Sequence, residues 1–411
     1  MIDFYIGSIV PPTQLLYRHD FIRQIWQTLQ KEHVLLIGPR RTGKSSVMNH
    51  LREIPSPDWI VVHLNVQDLE YPAQLFHEVI EKFYQQHRGF LAQSLAKGWQ
   101  LLQGLMENAA ERVAEIETGK VKLVLRQNES DWNANWKEHC NELLTRIRTT
   151  GHNVLIILDE LPDMLLNIKQ RSPDEAVGFM AWFRKQRETP PPHEDNIRWL
   201  VGGSINLPGT MESLGRIDLL NNLCTMQLPI LRPEEVCDFV GRMLRDRGIG
   251  FHPSVPSLVE QALGRPIPMF LQMATKELCR SVQGPPATTA TPAHVKEVFK
   301  SLTTGIAAQQ HLQHYYSRIH KYYPEPQASL AHCILRQLCN SSEQGLTKRS
   351  LKTTFQRELG SVSHIIDRDL LFSLLMQDLQ HDFYIGEVDT NRYDFESGLM
   401  KAWWKKFYGG R

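Results

Sequence analysis

The run Gly38-Pro39-Arg40-Arg41-Thr42-Gly43-Lys44-Ser45 has the residue types and spacing of a loop that cradles a polyphosphate. It fits Gly-x4-Gly-Lys-Ser without a mismatch. Glycines let the backbone curl so that its N–H groups face phosphate oxygens, and the following helix N-terminus adds positive potential. In such a loop Lys44 contacts the β- and γ-phosphates, and Ser45 holds Mg2+ through its hydroxyl. Gly38, Pro39, Arg40, Arg41, Thr42, Gly43, Lys44, Ser45 and Ser46 therefore form the candidate nucleotide-binding set, and ATP with Mg2+ the expected cofactors.

A second pair of residues complements the loop. Asp159-Glu160 closes the apolar run Val154-Leu155-Ile156-Ile157-Leu158. An aspartate there can bind Mg2+, and the glutamate beside it can polarise the attacking water. Phosphoryl transfer asks mostly for positioning and charge neutralisation, which these groups supply. Ser204, with Asn206 close by, ends the next strand-like run. It is either a sensor of the γ-phosphate or a strand-end cap. Arg216 follows Gly215 in a loop-like stretch. It is either an arginine finger offered to a neighbouring subunit or a surface arginine. Arg40 and Arg41 face the nucleotide, a partner or solvent.

Positioning these residues takes a parallel sheet. His33-Val34-Leu35-Leu36-Ile37 reads as a buried strand into the loop, and Ser46 to Leu51 as the helix out of it. Before it, Phe21, Ile22, Ile25, Trp26 and Leu29 keep a helical period. Trp59 to Leu64, Val154 to Leu158, Ile197 to Ser204 and Cys224 to Leu228 read as further strands. Residues 72 to 115 and Trp132 to Ile147 read as helices, and Val121 to Leu125 as a short strand in an insertion. Strands alternating with helices imply an α/β fold, a parallel sheet with helices on both faces.

Beyond Leu231-Arg232-Pro233 the texture changes, and residues 233 to 300 read as all-helical. A third unit reads as helices over Leu330 to Cys339, Lys348 to Leu359 and Ile365 to Leu379. A hairpin follows, Phe383-Tyr384-Ile385 to Arg392-Tyr393-Asp394-Phe395, joined through Asp389-Thr390-Asn391. Helices followed by a two-stranded wing suggest a winged helix. The expected domains are thus a P-loop core with an entry segment over 1–230, a helical lid over 231–305 and a winged-helix-like domain over 306–411.

Bulk properties limit the alternatives. With 411 residues the chain exceeds one compact core, and with 42% hydrophobic and 22% charged residues its composition is globular. A net charge of +1, from 46 basic and 45 acidic residues, gives no support for nucleic-acid binding from bulk charge. The stretch Ile365 to Leu375 is acidic and apolar, which suits protein packing. Lys348, Arg349, Lys352, Arg357, Lys401, Lys405 and Lys406 are the groups able to touch phosphate. Trp403-Trp404 reads as core. The six cysteines form no Cys-x-x-Cys pair and the histidines no metal-ligand spacing. No apolar stretch approaches the roughly 20 residues that span a bilayer, and the N-terminus has no signal-peptide pattern, so the expected location is the cytoplasm, away from membranes.

Together these features resemble the archaeal-type ATPase family, of the STAND branch of P-loop ATPases and close to AAA+ and origin-recognition ATPases. The loop through Ser46 carries the resemblance, with Leu16-Tyr17-Arg18-His19-Asp20 where the family has its arginine-containing entry motif. Gly203-Ser204, Leu228-Pro229-Ile230-Leu231, and Tyr393-Asp394-Phe395 with Trp403-Trp404 continue it, over roughly residues 14 to 406. Gly264-Arg265-Pro266-Ile267-Pro268 departs from the family's Gly-Gly-x-Pro lid motif, and no clear sensor-2 arginine stands out, Arg265 being the nearest. The resemblance implies an ATP-driven switch with slow turnover that assembles with a protein partner, sometimes on DNA, and in prokaryotes often in defence or mobile-element settings. Two other readings stand beside it. One is an AAA+ ATPase that oligomerises on DNA, with nucleotide-dependent homo-oligomers. The other is an adaptor that binds ATP without hydrolysing it.

Overall fold

Five apolar segments of the N-terminal half make one parallel sheet. In the computed structural model, which describes residues 2–86, 129–190, 194–203, 207–282, 289–342, 345–360 and 367–410, they are β1 (His33–Ile37), β2 (Trp59–Asn65), β3 (Asn153–Asp159), β4 (Ile197–Gly202) and β5 (Leu223–Gln227). Their order is β2-β3-β4-β1-β5. After β1 the chain leaves for the far edge, returns through β3 and β4, and takes β5 on the other side of β1. Ligand sites in open α/β sheets lie at such a switch point, outside the carboxyl ends of the strands. The expected short strand at Val121 to Leu125 and the expected helix beyond residue 86 fall outside the described residues.

Val154 to Leu158 are fully buried, as continuous apolar text in a strand covered on both faces requires. Alternation sends Val154, Ile156 and Leu158 into one core with helices α3 (Pro72–Gln86), α4 (Glu129–Thr149), α5 (Leu161–Arg171) and α6 (Pro173–Glu188). Trp136, Phe179, Trp182, Phe183 and Trp199 interlock there edge-to-face, tilted or stacked. Helices α1 (His19–Leu29) and α2 (Lys44–Glu53) pack on β1, β2 and β3. Between α6 and β5 lie the short α7 (Leu207–Glu212) and a 3-10 turn, Ile217–Leu220.

Contacts divide the chain into two compact units: Pro11–Ile37 with Lys44–Leu228, and Met1–Val10 with Gly38–Gly43 and Pro229–Arg411. The second contains α8 (Pro233–Arg245), α9 (Val255–Leu263), α10 (Pro268–Ser281) and α11 (Pro292–Thr304). This stretch is not all-helical. Gly250–Phe251 (β6) and Thr289–Ala290 (β7) pair in parallel. Two-residue strands leave no period to read, and only the tertiary pairing creates them.

The same unit continues through α12 (Ile306–Tyr322), α13 (Gln327–Cys339), β8 (Leu346–Thr347), α14 (Lys348–Leu359), α15 (Arg368–His381), β9 (Ile385–Asp389), β10 (Arg392–Phe395) and α16 (Gly398–Tyr408). The hairpin turns at Thr390-Asn391, with Asn391 at φ 58°, and β8 joins it as a third strand beside β10. Trp403 and Trp404 are fully buried. Arg265, at the α9–α10 turn, is ion-paired with the buried carboxylate of Glu396 between β10 and α16. This pair ties the α9–α10 turn to the C-terminal module of the same unit, β8 to α16.

Candidate functional site

The phosphate loop Gly38–Gly43 leaves the carboxyl end of β1 and runs into the first turn of α2. Gly43 has φ 100°, a conformation other residues rarely reach, and among the described residues nothing beyond its chain neighbours lies within 4 Å of where its Cβ would stand. Thr42 braces the curl internally, its hydroxyl donating to the Pro39 carbonyl at 2.6 Å. The helix then begins at Lys44, so Lys44, Ser45 and Ser46 form its first turn, where the positive end of the helix dipole lies.

Around that turn the strand ends bring acids to the lysine. Lys44 is buried. Burial pushes its ammonium pKa down, while the charges of Glu160 and Asp159 push it back up. Asp159, the last residue of β3, is also buried. Burial first and the neighbouring Glu160 second push its pKa up to about 6, while a hydrogen bond from Ser45 and the charge of Lys44 oppose the rise. One carboxylate oxygen of Asp159, Oδ1, is buried without a hydrogen-bond partner among the described residues.

Glu160 caps α5 in the left-handed region at φ 64°, with Pro162 in the first helical turn. A glutamate there is strained, and such strain persists where surrounding structure dictates it. Gly203, after β4, supplies part of that surrounding. A Cβ on Gly203 would stand 2.5 and 2.8 Å from the Pro162 ring and 3.3 Å from Glu160 Oε2. Gly203→Ala must displace the α5 start and the Glu160 carboxylate. We expect about 1–3 kcal/mol lower stability in chemical denaturation, together with slower turnover in the assay described below.

The sheet register adds a residue that sequence reasoning missed. His63 on β2 places its Nε2 3.9 Å from Asp159 Oδ2. Burial, then the charges of Arg52 and Lys82, push the His63 pKa down to about 4. The ring is therefore neutral at neutral pH, and the contact is no ion pair. A lone polar residue inside the apolar text of Trp59 to Leu64 was the available signal.

The other expected residues fall differently. Ser204 lies outside the described residues, as does Asn206. Arg216 sits at the surface, where its Nε and one terminal nitrogen grip both carboxylate oxygens of Asp218 at 2.9 and 3.1 Å. That grip raises the arginine's pKa and lowers the aspartate's. Arg18, in the stretch expected to be an entry motif, is buried at the start of α1. Arg40 is half-buried, and Arg41 sends its guanidinium to the Sδ of Met269 on α10 at 2.9 Å.

Asp159 and Ser45 fit a magnesium ion. A buried carboxylate oxygen without a partner among the described residues, beside the Ser45 hydroxyl at the start of α2, is the donor set of a cation whose remaining ligands come from substrate phosphates and water. Among the described residues no cluster of three or more His, Cys, Asp or Glu could hold a metal by itself.

A five-stranded parallel sheet with flanking helices, a phosphate loop after β1, and a helical C-terminal part make this a P-loop α/β fold. The chain is similar to the Walker-type ATPase of Pyrococcus abyssi, with a TM-score of 0.60 at 15% identity over 97% of this chain and 98% of that one. It is also similar to the ORC2 protein of Aeropyrum pernix in its ADPNP-ADP complexes, with a TM-score of 0.54 at 11% identity over 97% and 95%. At these identities the likeness is one of fold. No protein-family model matches the sequence, and no curated protein matches it. Among the described residues no helix is long and apolar enough to cross a membrane.

Proposed function

We propose that the chain is an ATP- and Mg2+-dependent switch ATPase whose nucleotide state governs assembly with a protein partner. The observation that carries this reading is the convergence of Lys44, Ser45, Asp159 and Glu160, with a carboxylate oxygen of Asp159 left unpartnered among the described residues. The loop N–H groups and Lys44 hold the phosphates, and Ser45 with Asp159 hold Mg2+. The metal, when bound, supplies charge neutralisation at the phosphates. Glu160 orients water for attack. We read α13, β8, α14, α15 and the β9–β10 hairpin as a winged helix that faces protein. Two features support that face. Lys352 is paired with Asp369 at 2.7 Å and Lys401 with Asp394 at 2.6 Å, so these cations are committed within the chain. Leu370 on α15 is 55% exposed, an apolar group where a DNA-reading helix carries polar ones.

A second reading, an ATPase that oligomerises on DNA, is favoured by Arg216, an exposed guanidinium held in a fixed pose by Asp218 and so suited to reach a neighbouring nucleotide. ATP turnover by the purified chain, with and without duplex DNA, separates the two. A rate indifferent to DNA and to Arg216→Ala supports the switch. Stimulation by DNA that vanishes in Arg216→Ala supports the oligomer. No turnover under any condition removes the role given to Glu160.

A further inference from the structure

Arg41 stands inside the phosphate loop but makes its contacts elsewhere. Its backbone is left-handed, at φ 65°, and its guanidinium donates to Met269 Sδ on α10. The same terminal nitrogen lies 3.6 Å from the Cβ position of Gly7 in the N-terminal segment, and the His311 ring of α12 lies 3.9 Å from that position. The arginine's charge also acts on His314 and Tyr315 of α12. Burial first, and that charge second, push the His311 and His314 pKa values down. Three separate stretches of the second unit thus meet at one loop residue.

The junction is polar and incompletely satisfied. Arg41 Nε, His314 Nε2 and the Tyr315 hydroxyl are buried, and none has a hydrogen-bond partner among the described residues. Among the described residues no carboxylate forms an ion pair with the guanidinium. A half-buried cation among neutral groups is held less firmly than one in a matched ion pair. A small shift of the loop can therefore exchange one set of contacts for another, which is the behaviour of a two-state element.

We propose that Arg41 is a positioning residue that transmits the state of the phosphate loop to α10 and α12. It acts as a lever between loop and helices, and the phosphates are held by Lys44 and the loop N–H groups. This rests on the nucleotide reading above. A nucleotide that fixes the loop backbone moves the guanidinium, which repacks Met269 and the α12 residues. Those helices lead into the C-terminal module, so the module senses occupancy without touching nucleotide.

Amide hydrogen exchange with and without Mg·ATP, alongside a nucleotide-binding titration, tests this. Wild type should show nucleotide-dependent changes over both α2 and α12. At saturating Mg·ATP, Arg41→Ala should keep the α2 change and lose the α12 change. Arg41→Lys should restore part of it. Met269→Leu, which leaves the loop intact and removes only the sulfur acceptor, should weaken the same response. An α12 response undiminished in Arg41→Ala or, should that variant not fold, in Met269→Leu overturns the proposal while leaving the nucleotide reading in place. Loss of binding in Arg41→Ala as complete as in Lys44→Ala also overturns it, making Arg41 a phosphate ligand. A wild-type chain that binds no Mg·ATP removes the nucleotide reading, and this inference with it.

Discussion

Glu160→Gln is expected to bind Mg·ATP as well as wild type and to hydrolyse it at least about a hundredfold more slowly, the range for loss of a positioned general base. The substitution keeps the size and leaves the strained left-handed backbone at φ 64° as it is. It removes only the charge that polarises water and faces Lys44. Separating binding from turnover is therefore the useful readout. A fluorescent nucleotide reports affinity, and phosphate release reports rate. Equal rates in the two proteins would place the water-activating group elsewhere.

The second large effect concerns stability and has an unusual sign. Asp159 titrates at about 6 in the folded chain, against 3.8 for an ordinary aspartate, chiefly because it is buried. Between those values the folded chain binds more protons than the unfolded one, so stability falls as pH rises through that window and stays lower above it. The difference corresponds to about 3 kcal/mol at neutral pH. Asp159→Asn removes that loss, and without metal or nucleotide its Tm at pH 7.5 should rise by several degrees. At pH 4 the two proteins should converge. In the same experiment Mg·ATP should stabilise wild type and not the variant, because the carboxylate that holds the ion is gone. A variant less stable than wild type at pH 7.5 would mean that the Ser45 hydrogen bond outweighs the burial of the charge.

How far these features were legible in the sequence depends on how local their causes are. β1, β2 and β3 declare themselves because a parallel strand buried on both faces is an unbroken apolar run, and each ends close to where that run ends. The phosphate loop is legible because its conformation is written in glycine positions, Gly43 at φ 100° above all. The two-residue strands β6, β7 and β8 were not, since their pairing partners are remote in the chain. For the same reason the sheet order was not legible, nor was the approach of His63 to Asp159 that it produces. Arg41 illustrates the limit most sharply. Its place in the loop motif makes it a nucleotide-facing candidate, but a left-handed backbone and a methionine 228 residues away decide where its guanidinium goes. Gly203 was singled out for its place beside Ser204, whereas its packing against Pro162 emerges only when β4 and the start of α5 are assembled.

The central claim is that Lys44, Ser45 and Asp159 form a Mg2+-dependent nucleotide site. The most direct measurement is a titration of the purified chain with a fluorescent ATP analogue, with Mg2+ or with EDTA, in wild type and Lys44→Ala. The account predicts saturable binding in wild type that weakens strongly without Mg2+ and is lost in Lys44→Ala. Binding of equal strength in both proteins, or no binding in a wild-type chain shown to be folded, would contradict it.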